Sequence, residues 1–222
     1  MKTGSPSAEV IDPADYDAWY DTPRGRWIGE TEYRVAARGL AARPGETLLD
    51  VGCGTGWFSR RGAADGLVVT GVDPNQGWLK FARAEAPALD WVAGDARRLP
   101  FADASFDHVL SVAALCFVDD ERKAVSECVR VARRSFAIVW LNRRSLLYRD
   151  KGRGGGSGPY RGATWHTAGE VRALFSGLPL RRLSLRSVVF LPSASGAAHW
   201  VERALPGSLP WGAVLVTAGE KA

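Results

Sequence analysis

Short apolar runs alternate with amphipathic stretches along most of this 222-residue chain. The apolar runs predict strands near residues 47–51, 68–72, 90–93, 107–112 and 135–141. Helical patterns between them predict helices near 56–65, 76–86 and 120–132. Alternating strands and helices are typical of a parallel sheet with helices on both faces. The run Phe136–Leu141 fits this sheet, because a strand buried on both faces needs few polar residues.

The two ends of the chain extend this pattern. Residues 10–42 have a helical pattern that ends near Arg43–Gly45. Farther along, Thr167 and Glu170 form a capping-box pattern that predicts a helix through about Leu178. The stretches 183–191 and 211–218 predict two closing strands, with a helix near 195–204 between them. We therefore expect a single doubly wound α/β domain over residues 1–222.

The glycine-rich turn after the first predicted strand is the strongest functional signal. The run Leu48–Val51 passes directly into a G-x-G-x-G sequence formed by Gly52, Gly54 and Gly56. Glycine tolerates positive φ and lets a ligand approach the main chain. The spacing differs from the G-x-G-x-x-G dinucleotide fingerprint, and the Gly-Lys-Ser/Thr ending of a Walker loop is absent. The buried carboxylate of Asp50 also disfavours a bare phosphate at this turn.

Acidic residues follow the next two predicted strands. Asp73 ends the second strand and Asp95 follows the third. A carboxylate after the second strand can accept hydrogen bonds from both hydroxyls of a ribose. Acids after three successive strands therefore indicate an adenosine ligand that carries positive charge elsewhere.

Four stretches in this order resemble the class I S-adenosylmethionine-dependent methyltransferases, especially the small-molecule subgroup that includes enzymes of ubiquinone and menaquinone biosynthesis. The matching stretches are Leu48–Gly56, Gly71–Pro74, Gly94–Phe101 and Ser105–Leu110, within roughly residues 45–142. The resemblance implies a Rossmann-like fold with a mostly parallel seven-stranded sheet and an antiparallel last strand. It also implies S-adenosylmethionine as cofactor and methyl transfer to a small-molecule acceptor.

The resemblance also implies a set of cofactor-binding residues. Asp50, Gly52, Cys53 and Gly54 would hold the methionine part. Asp73 and Pro74 would lie at the ribose, Asp95 and Ala96 at the adenine, and Ala113 beside the ligand after the fourth strand. Asn75 would cap the following helix.

The N-terminal helical stretch is unusually rich in aromatic residues: Tyr16, Trp19, Tyr20 and Trp27. These side chains are either a core stripe at helical spacing or part of a lid over the cofactor. The resemblance favours the lid, which would include residues 1–42, because the subgroup carries a similar aromatic segment followed by an arginine. Tyr20 and Arg26 are therefore expected to bind the cofactor, with Arg24 as the alternative to Arg26.

The sequence gives fewer indications of the residues that contact the methyl acceptor. Methyl transfer from a sulfonium mainly needs alignment and a dry pocket, and it needs a base only if the acceptor loses a proton. The glycine-rich segment 142–163 predicts a mobile loop beside this pocket. Phe117 is a core residue or a pocket wall, and Asn142 and Trp165 are candidate acceptor contacts. His166 is a surface histidine or, if a base exists, the first choice for it.

Composition narrows the remaining possibilities. The three cysteines fit no metal-ligand spacing and predict buried thiols, so we expect no metal site. The net charge of +5 is spread over arginine doublets that we expect to face water, so we expect no nucleic-acid partner. These doublets are Arg60–Arg61, Arg97–Arg98, Arg133–Arg134, Arg143–Arg144 and Arg181–Arg182.

Cytoplasmic location is the default expectation. No apolar run reaches the roughly 18 residues of a membrane span. Residues 1–8 lack the apolar core of a signal peptide and predict a disordered leader. A monomer and a homodimer are both compatible with the sequence.

Two other functions compete with methylation of a small molecule. A non-catalytic S-adenosylmethionine-binding module is disfavoured by the intact glycine turn and by both ligand acids. An RNA or protein methyltransferase is disfavoured because no Asn-Pro-Pro-Tyr-like motif follows the fourth strand.

Overall fold

A computed structural model describes residues 12–222 of the chain. Its strands are β1 (Thr47–Val51), β2 (Val68–Asp73), β3 (Asp90–Ala93), β4 (Phe106–Val112), β5 (Ala132–Leu141), β6 (Leu180–Val188) and β7 (Val214–Lys221). They form one sheet in the order β3-β2-β1-β4-β5-β7-β6. Strands β1 to β5 are parallel, and β7 is antiparallel to both of its neighbours. The predicted seven-stranded sheet with an antiparallel last strand is confirmed.

Seven α-helices flank the sheet within the described residues. They are α1 (Pro13–Trp19), α2 (Pro23–Leu40), α3 (Trp57–Ala64), α4 (Gln76–Glu85), α5 (Glu121–Val131), α6 (Ala168–Leu174) and α7 (Gly196–Ala204). The single helical stretch predicted for residues 10–42 is two helices. Pro23 begins α2 after Thr22, whose hydroxyl accepts a hydrogen bond from the Gly25 N–H. The predicted leader over residues 1–8 lies outside the described residues.

The central strands are buried as their apolar sequences predict. Phe136 and Trp140 of β5 are fully buried in the main core. The three cysteines are free and buried, which confirms the expectation of buried thiols. Burial raises the pKa of the Cys116 and Cys128 thiols to about 12, so both stay protonated at neutral pH. Among residues 12–222, no helix is long and apolar enough to cross a bilayer.

The closing strands differ from their predicted positions by about three residues. The prediction of a strand over 183–191 fails at its end, because β6 stops at Val188 and Val189 adopts a left-handed conformation with φ +62°. The backbone N–H groups of Val189 and Phe190 donate to the carboxylate of Glu202 instead of continuing the strand, at 3.1 and 3.0 Å. Glu202 lies on α7, and the local sequence does not indicate that its carboxylate accepts these two hydrogen bonds.

Most members of the arginine doublets face water as predicted, including both arginines of Arg133–Arg134, Arg143–Arg144 and Arg181–Arg182. Arg60 makes two 2.8 Å hydrogen bonds to the carboxylate of Asp17, which ties α3 to α1. Others also reach carboxylates: Arg61, Arg97, Arg133, Arg134 and Arg143. Most of these pairs link neighbouring elements at the protein surface.

Candidate functional site

A cavity of about 590 Å³ lies at the carboxyl ends of the first four strands. Its floor is formed by the glycine turn after β1 and by residues that follow β2, β3 and β4. Helices α1, α2 and α4 and a segment after β5 supply the walls. The lining includes Tyr16, Tyr20, Glu32, Gly52, Cys53, Gly54, Trp57, Asp73, Pro74, Trp78, Asp95, Ala96, Ala113, Phe117, Gly158, Pro159 and Arg161.

The glycine turn brings backbone to the cavity because its conformation excludes side chains. Gly52, Gly54 and Gly56 all have positive φ, at +72°, +55° and +81°. A Cβ atom on Gly54 would lie 2.9 Å from the ring of Trp78, and one on Gly56 would collide with Trp91. The turn is therefore a cradle that a larger residue would fill, which is the geometry expected at a nucleotide-type ligand.

Asp73 presents both carboxylate oxygens at the edge of the cavity. Oδ2 accepts a hydrogen bond from the Gly54 N–H at 3.0 Å, and Oδ1 accepts one from the Asn75 N–H at 2.8 Å. Burial raises the pKa of this carboxyl, and the two backbone hydrogen bonds oppose that shift. Each oxygen keeps a lone pair for a further donor, so the carboxylate can accept a vicinal diol.

Asp95 lines another part of the cavity. The Arg97 guanidinium donates from Nε and Nη2 to its carboxylate, at 3.0 and 2.6 Å. These bonds hold the pKa of Asp95 below its usual range, so the group is ionised at neutral pH. Ala96 and Ala113 also line the cavity and contribute no polar side chains, which suits contact with an apolar ring.

Asp50 is not placed as the resemblance implied. Its side chain is buried and is not part of the cavity lining. The Ser59 hydroxyl donates to Oδ2 at 2.6 Å. Burial, the largest effect, raises the pKa of Asp50 to about 7, and no cation in residues 12–222 pairs with it. Asp50 therefore contacts the glycine turn and α3 rather than a ligand directly.

The N-terminal aromatic residues divide between the cavity and the surface of α2. Tyr20 stacks on Trp57 with ring centroids 4.5 Å apart, and Tyr16 packs on Trp78 at 4.9 Å. Both tyrosines line the cavity. Trp27 instead stacks on His199, with centroids 5.0 Å apart, outside the cavity lining. The first part of this segment thus covers the glycine turn, whereas Trp27 does not.

The prediction that Arg26 binds the cofactor is not supported by its position. Its exposed side chain lies 3.7 Å from the carboxylate of Asp21 and does not line the cavity. The reason is the break between α1 and α2, which turns this position of α2 toward water. Arg161 is the only cationic side chain among the described lining residues, and it comes from the segment after β5.

We expect ligand binding to slow hydrogen exchange in residues 13–22, because their aromatic side chains close the cavity. If the segment must open for the ligand to leave, a ligand at 100 times its Kd slows exchange there by up to about 100-fold. Exchange mass spectrometry with and without S-adenosylmethionine measures this change. Residues 196–204 of α7, away from the cavity, serve as the control, and equal protection in both states would assign the aromatic residues to the core alone.

Glu32 is a cavity residue that the sequence analysis missed. It lies on α2, is 8% exposed, and lines the cavity. Burial alone raises its pKa to about 8. A signal was present in the sequence, because Glu32 interrupts the small and apolar face formed by Gly25, Gly29, Ala36 and Leu40 at helical spacing.

The glycine-rich segment after β5 reaches the cavity through its second half. It forms short helical turns over 148–152, 153–155 and 158–160, and Gly158, Pro159 and Arg161 line the cavity opposite Phe117. Its predicted mobility stays a prediction. Trp165 does not line the cavity, because it is buried between Tyr148 and Tyr160 and anchors this segment.

The structure also differs from the predictions that Asn142 contacts the acceptor and that His166 is the candidate base. The Asn142 amide donates to the carbonyl oxygens of Pro210 and Gly212 at 2.9 and 2.7 Å, so it fastens the end of β5 to the chain before β7. His166 is buried, and its Nε2 lies 2.8 Å from Oε2 of Glu121. Neither lines the cavity. Both side chains bind neighbouring elements of the fold. The sequence position alone does not indicate these contacts.

We therefore expect His166→Ala to destabilise the protein without weakening S-adenosylmethionine binding. Removing the ring leaves the buried Glu121 carboxylate without its partner, which costs about 1–3 kcal/mol. Urea unfolding measures the loss, and calorimetry on the folded variant checks the Kd. The exposed His199→Ala is the matched control. A His166→Ala protein with unchanged stability would contradict this structural role.

Comparison with known proteins agrees with the fold. Residues 49–138 match the family model described as "Methyltransferase domain". A demethylmenaquinone methyltransferase of Renibacterium salmoninarum is 41% identical over 106 residues, covering 48% of this chain and 45% of that protein. An uncharacterised protein of Mycobacterium tuberculosis is 34% identical over 196 residues, covering 84% of this chain and 64% of that protein. The chain thus spans about half to two thirds of the length of these curated relatives.

Solved structures agree at the level of the fold. An S-adenosylmethionine-dependent methyltransferase from Thermotoga maritima superposes with a TM-score of 0.72 at 23% identity, covering 94% of this chain and 96% of its own. This likeness supports the architecture, and the family match supports the class. Residues 49–138 therefore belong to a methyltransferase domain, and the resemblance of this chain to the class I S-adenosylmethionine-dependent methyltransferases is confirmed.

Proposed function

We propose that this chain transfers a methyl group from S-adenosylmethionine to a small-molecule acceptor. The observation that carries the proposal is the continuous cavity that joins the glycine turn and Asp73 to an aromatic compartment. The relatives named demethylmenaquinone methyltransferase and malonyl-[acyl-carrier protein] O-methyltransferase support methylation of small groups. The location in the cytoplasm and the choice between monomer and homodimer stay predictions.

The cavity fits the cofactor of the family. In this proposal the cradle of Gly52–Gly54 receives the methionine part, Asp73 accepts the ribose hydroxyls, and Asp95 with Ala96 contacts the adenine. The cofactor, when bound, supplies an electrophilic methyl group on a sulfonium. Backbone positive φ at the cradle and the two open lone pairs of Asp73 support this assignment.

The acceptor compartment is formed by Tyr16, Tyr20, Phe117 and the segment Gly158–Arg161. Aromatic rings and a proline offer few hydrogen-bond partners to water, and a dry, shaped compartment would align the reacting groups and exclude hydrolysis. A volume of about 590 Å³ is in the range of small-molecule sites. These features favour a compact, largely apolar acceptor, with Arg161 available for one anionic or carbonyl group.

The proposal is tested in two steps. Calorimetry should give one S-adenosylmethionine site per chain. Incubation with donor labelled at its methyl group and fractionated metabolite pools should then transfer label to a small molecule. Folded protein that gives no binding heat at high micromolar donor contradicts the cofactor assignment. Tight donor binding with no labelled product from any pool would instead favour the non-catalytic binding module.

A further inference from the structure

Glu32 differs from the two other carboxylates that line the cavity. Asp73 accepts two backbone hydrogen bonds, and Asp95 is paired with Arg97. Within residues 12–222, Glu32 makes no hydrogen bond and no ion pair, although only 8% of its surface is exposed. The mostly buried carboxyl meets the cavity without a donor or cation from the described residues, so a ligand in the cavity can supply the missing partner.

The surroundings of Glu32 suit a cation. Tyr16 of α1, Tyr20 directly after α1 and Tyr160 of the segment after β5 are titratable groups near its carboxyl, and burial raises the pKa of each. No positive side chain affects Glu32, since burial is the only cause of its raised pKa of about 8. The carboxyl is thus mostly neutral in the ligand-free protein at pH 7. Tyrosine and tryptophan faces attract cations, which adds to the pull of an ionised carboxylate.

S-adenosylmethionine, the proposed methyl donor, has positively charged groups that could pair with Glu32. S-adenosylmethionine carries a sulfonium and an ammonium group, against one carboxylate. Asp73 and Asp95 are already engaged, and Asp50 lies outside the lining. Glu32 is the remaining carboxyl of the cavity that can face a positive charge. Burial of either charge alone is unfavourable, and burial of the pair offsets both costs.

We propose that Glu32 is the counter-ion for the positive charge of the methyl donor, neutral in the empty cavity and ionised when the donor binds. The inference rests on the proposed function. On binding, the O–H bond of the carboxyl breaks, its proton passes to the solvent buffer, and the carboxylate pairs with the cationic group. The protein therefore binds the donor and releases a proton in one coupled step.

The test is calorimetry of ligand binding at pH 7 in two buffers that differ in ionisation enthalpy, which gives the number of protons released. About one proton per chain is expected for S-adenosylmethionine, because a carboxyl of pKa near 8 is almost fully protonated at pH 7. S-adenosylhomocysteine keeps the ammonium group but lacks the sulfonium, and 5′-methylthioadenosine lacks both charges. Release with S-adenosylmethionine alone identifies the sulfonium, and release with the first two ligands identifies the ammonium group.

Variants assign the proton to its residue. Glu32→Gln should abolish the release and weaken S-adenosylmethionine binding about tenfold or more, since it removes a charge-assisted contact. Glu30→Gln is the matched control on the same helix, where Glu30 pairs with Arg61 away from the cavity. Asp50→Asn tests a buried carboxyl with a raised pKa outside the cavity lining and should keep the release. Thermal unfolding confirms that each variant is folded.

Three results overturn the inference. They are proton release that persists in Glu32→Gln, release that is equal for 5′-methylthioadenosine, and S-adenosylmethionine binding without any release by the original protein. If S-adenosylmethionine binds without proton release, the proposed function is still supported but the proposed role of Glu32 is wrong. Failure of S-adenosylmethionine to bind the original protein would instead remove the proposed function itself.

Discussion

Asp73→Ala is expected to weaken S-adenosylmethionine binding by tenfold or more while the sheet stays intact. The carboxylate accepts two backbone hydrogen bonds and keeps one open lone pair on each oxygen at the edge of the cavity. Two ribose hydroxyls would use those lone pairs in charge-assisted bonds, each worth about 1.5–3 kcal/mol. Since about 1.4 kcal/mol corresponds to a factor of ten in Kd, loss of a single bond already accounts for the expected change.

The control must separate ligand contact from loop distortion, because alanine also removes the acceptor for the Gly54 and Asn75 N–H groups. Asp73→Asn keeps one neutral oxygen, which can accept from only one of those donors, and should give an intermediate loss. Asp103→Ala, an exposed acid paired with Arg130 away from the cavity, should leave the Kd within about twofold. Calorimetry gives the Kd of each variant and urea unfolding gives its stability. An unchanged Kd for Asp73→Ala would place the ribose elsewhere.

The sequence predicts those site residues whose positions depend on local backbone geometry at the ends of strands. Gly52, Gly54 and Asp73 follow strands whose apolar runs fix their ends, and parallel strands bring those ends to one edge of the sheet. The backbone requirement for positive φ is visible as glycine itself. The amino-acid sequence alone therefore places these three residues at one site, and all three line the cavity.

The part that the sequence does not predict depends on contacts between distant elements. Asn142 follows a buried strand just as a ligand-binding residue would, but its amide reaches the carbonyl groups of Pro210 and Gly212. Whether such a side chain faces the cavity or a neighbouring loop depends on how residues nearly 70 positions later pack. Glu32 is the opposite case, because it lies on α2, far along the chain from the glycine turn, and still lines the cavity. Local pattern indicates that it is buried without indicating what it faces.

Glu32→Gln is expected to stabilise the ligand-free protein at pH 8, even though it weakens donor binding. The folded-state pKa of this carboxyl is about 8, whereas an unfolded glutamate titrates near pH ~4.3. Between these values the folded state holds more protons than the unfolded state, so stability falls as pH rises through this window. Glutamine removes that loss, which amounts to roughly 2–5 kcal/mol at pH 8 and is close to zero near pH 4.

Urea unfolding of both proteins at intervals from pH 4.5 to pH 8.5 measures the difference, which should grow steadily and level off above pH ~8. Glu30→Gln, on the same helix but half-exposed and paired with Arg61, should stay within about 0.5 kcal/mol of the original protein. A difference that does not change with pH would mean that the carboxyl is not buried in its neutral form. Saturating S-adenosylmethionine should narrow the stability difference between the two proteins, by about 1.4 kcal/mol for each tenfold difference in Kd, because only the carboxylate gains a counter-ion from the donor. A residue that destabilises the empty protein but strengthens donor binding is retained for binding rather than for folding.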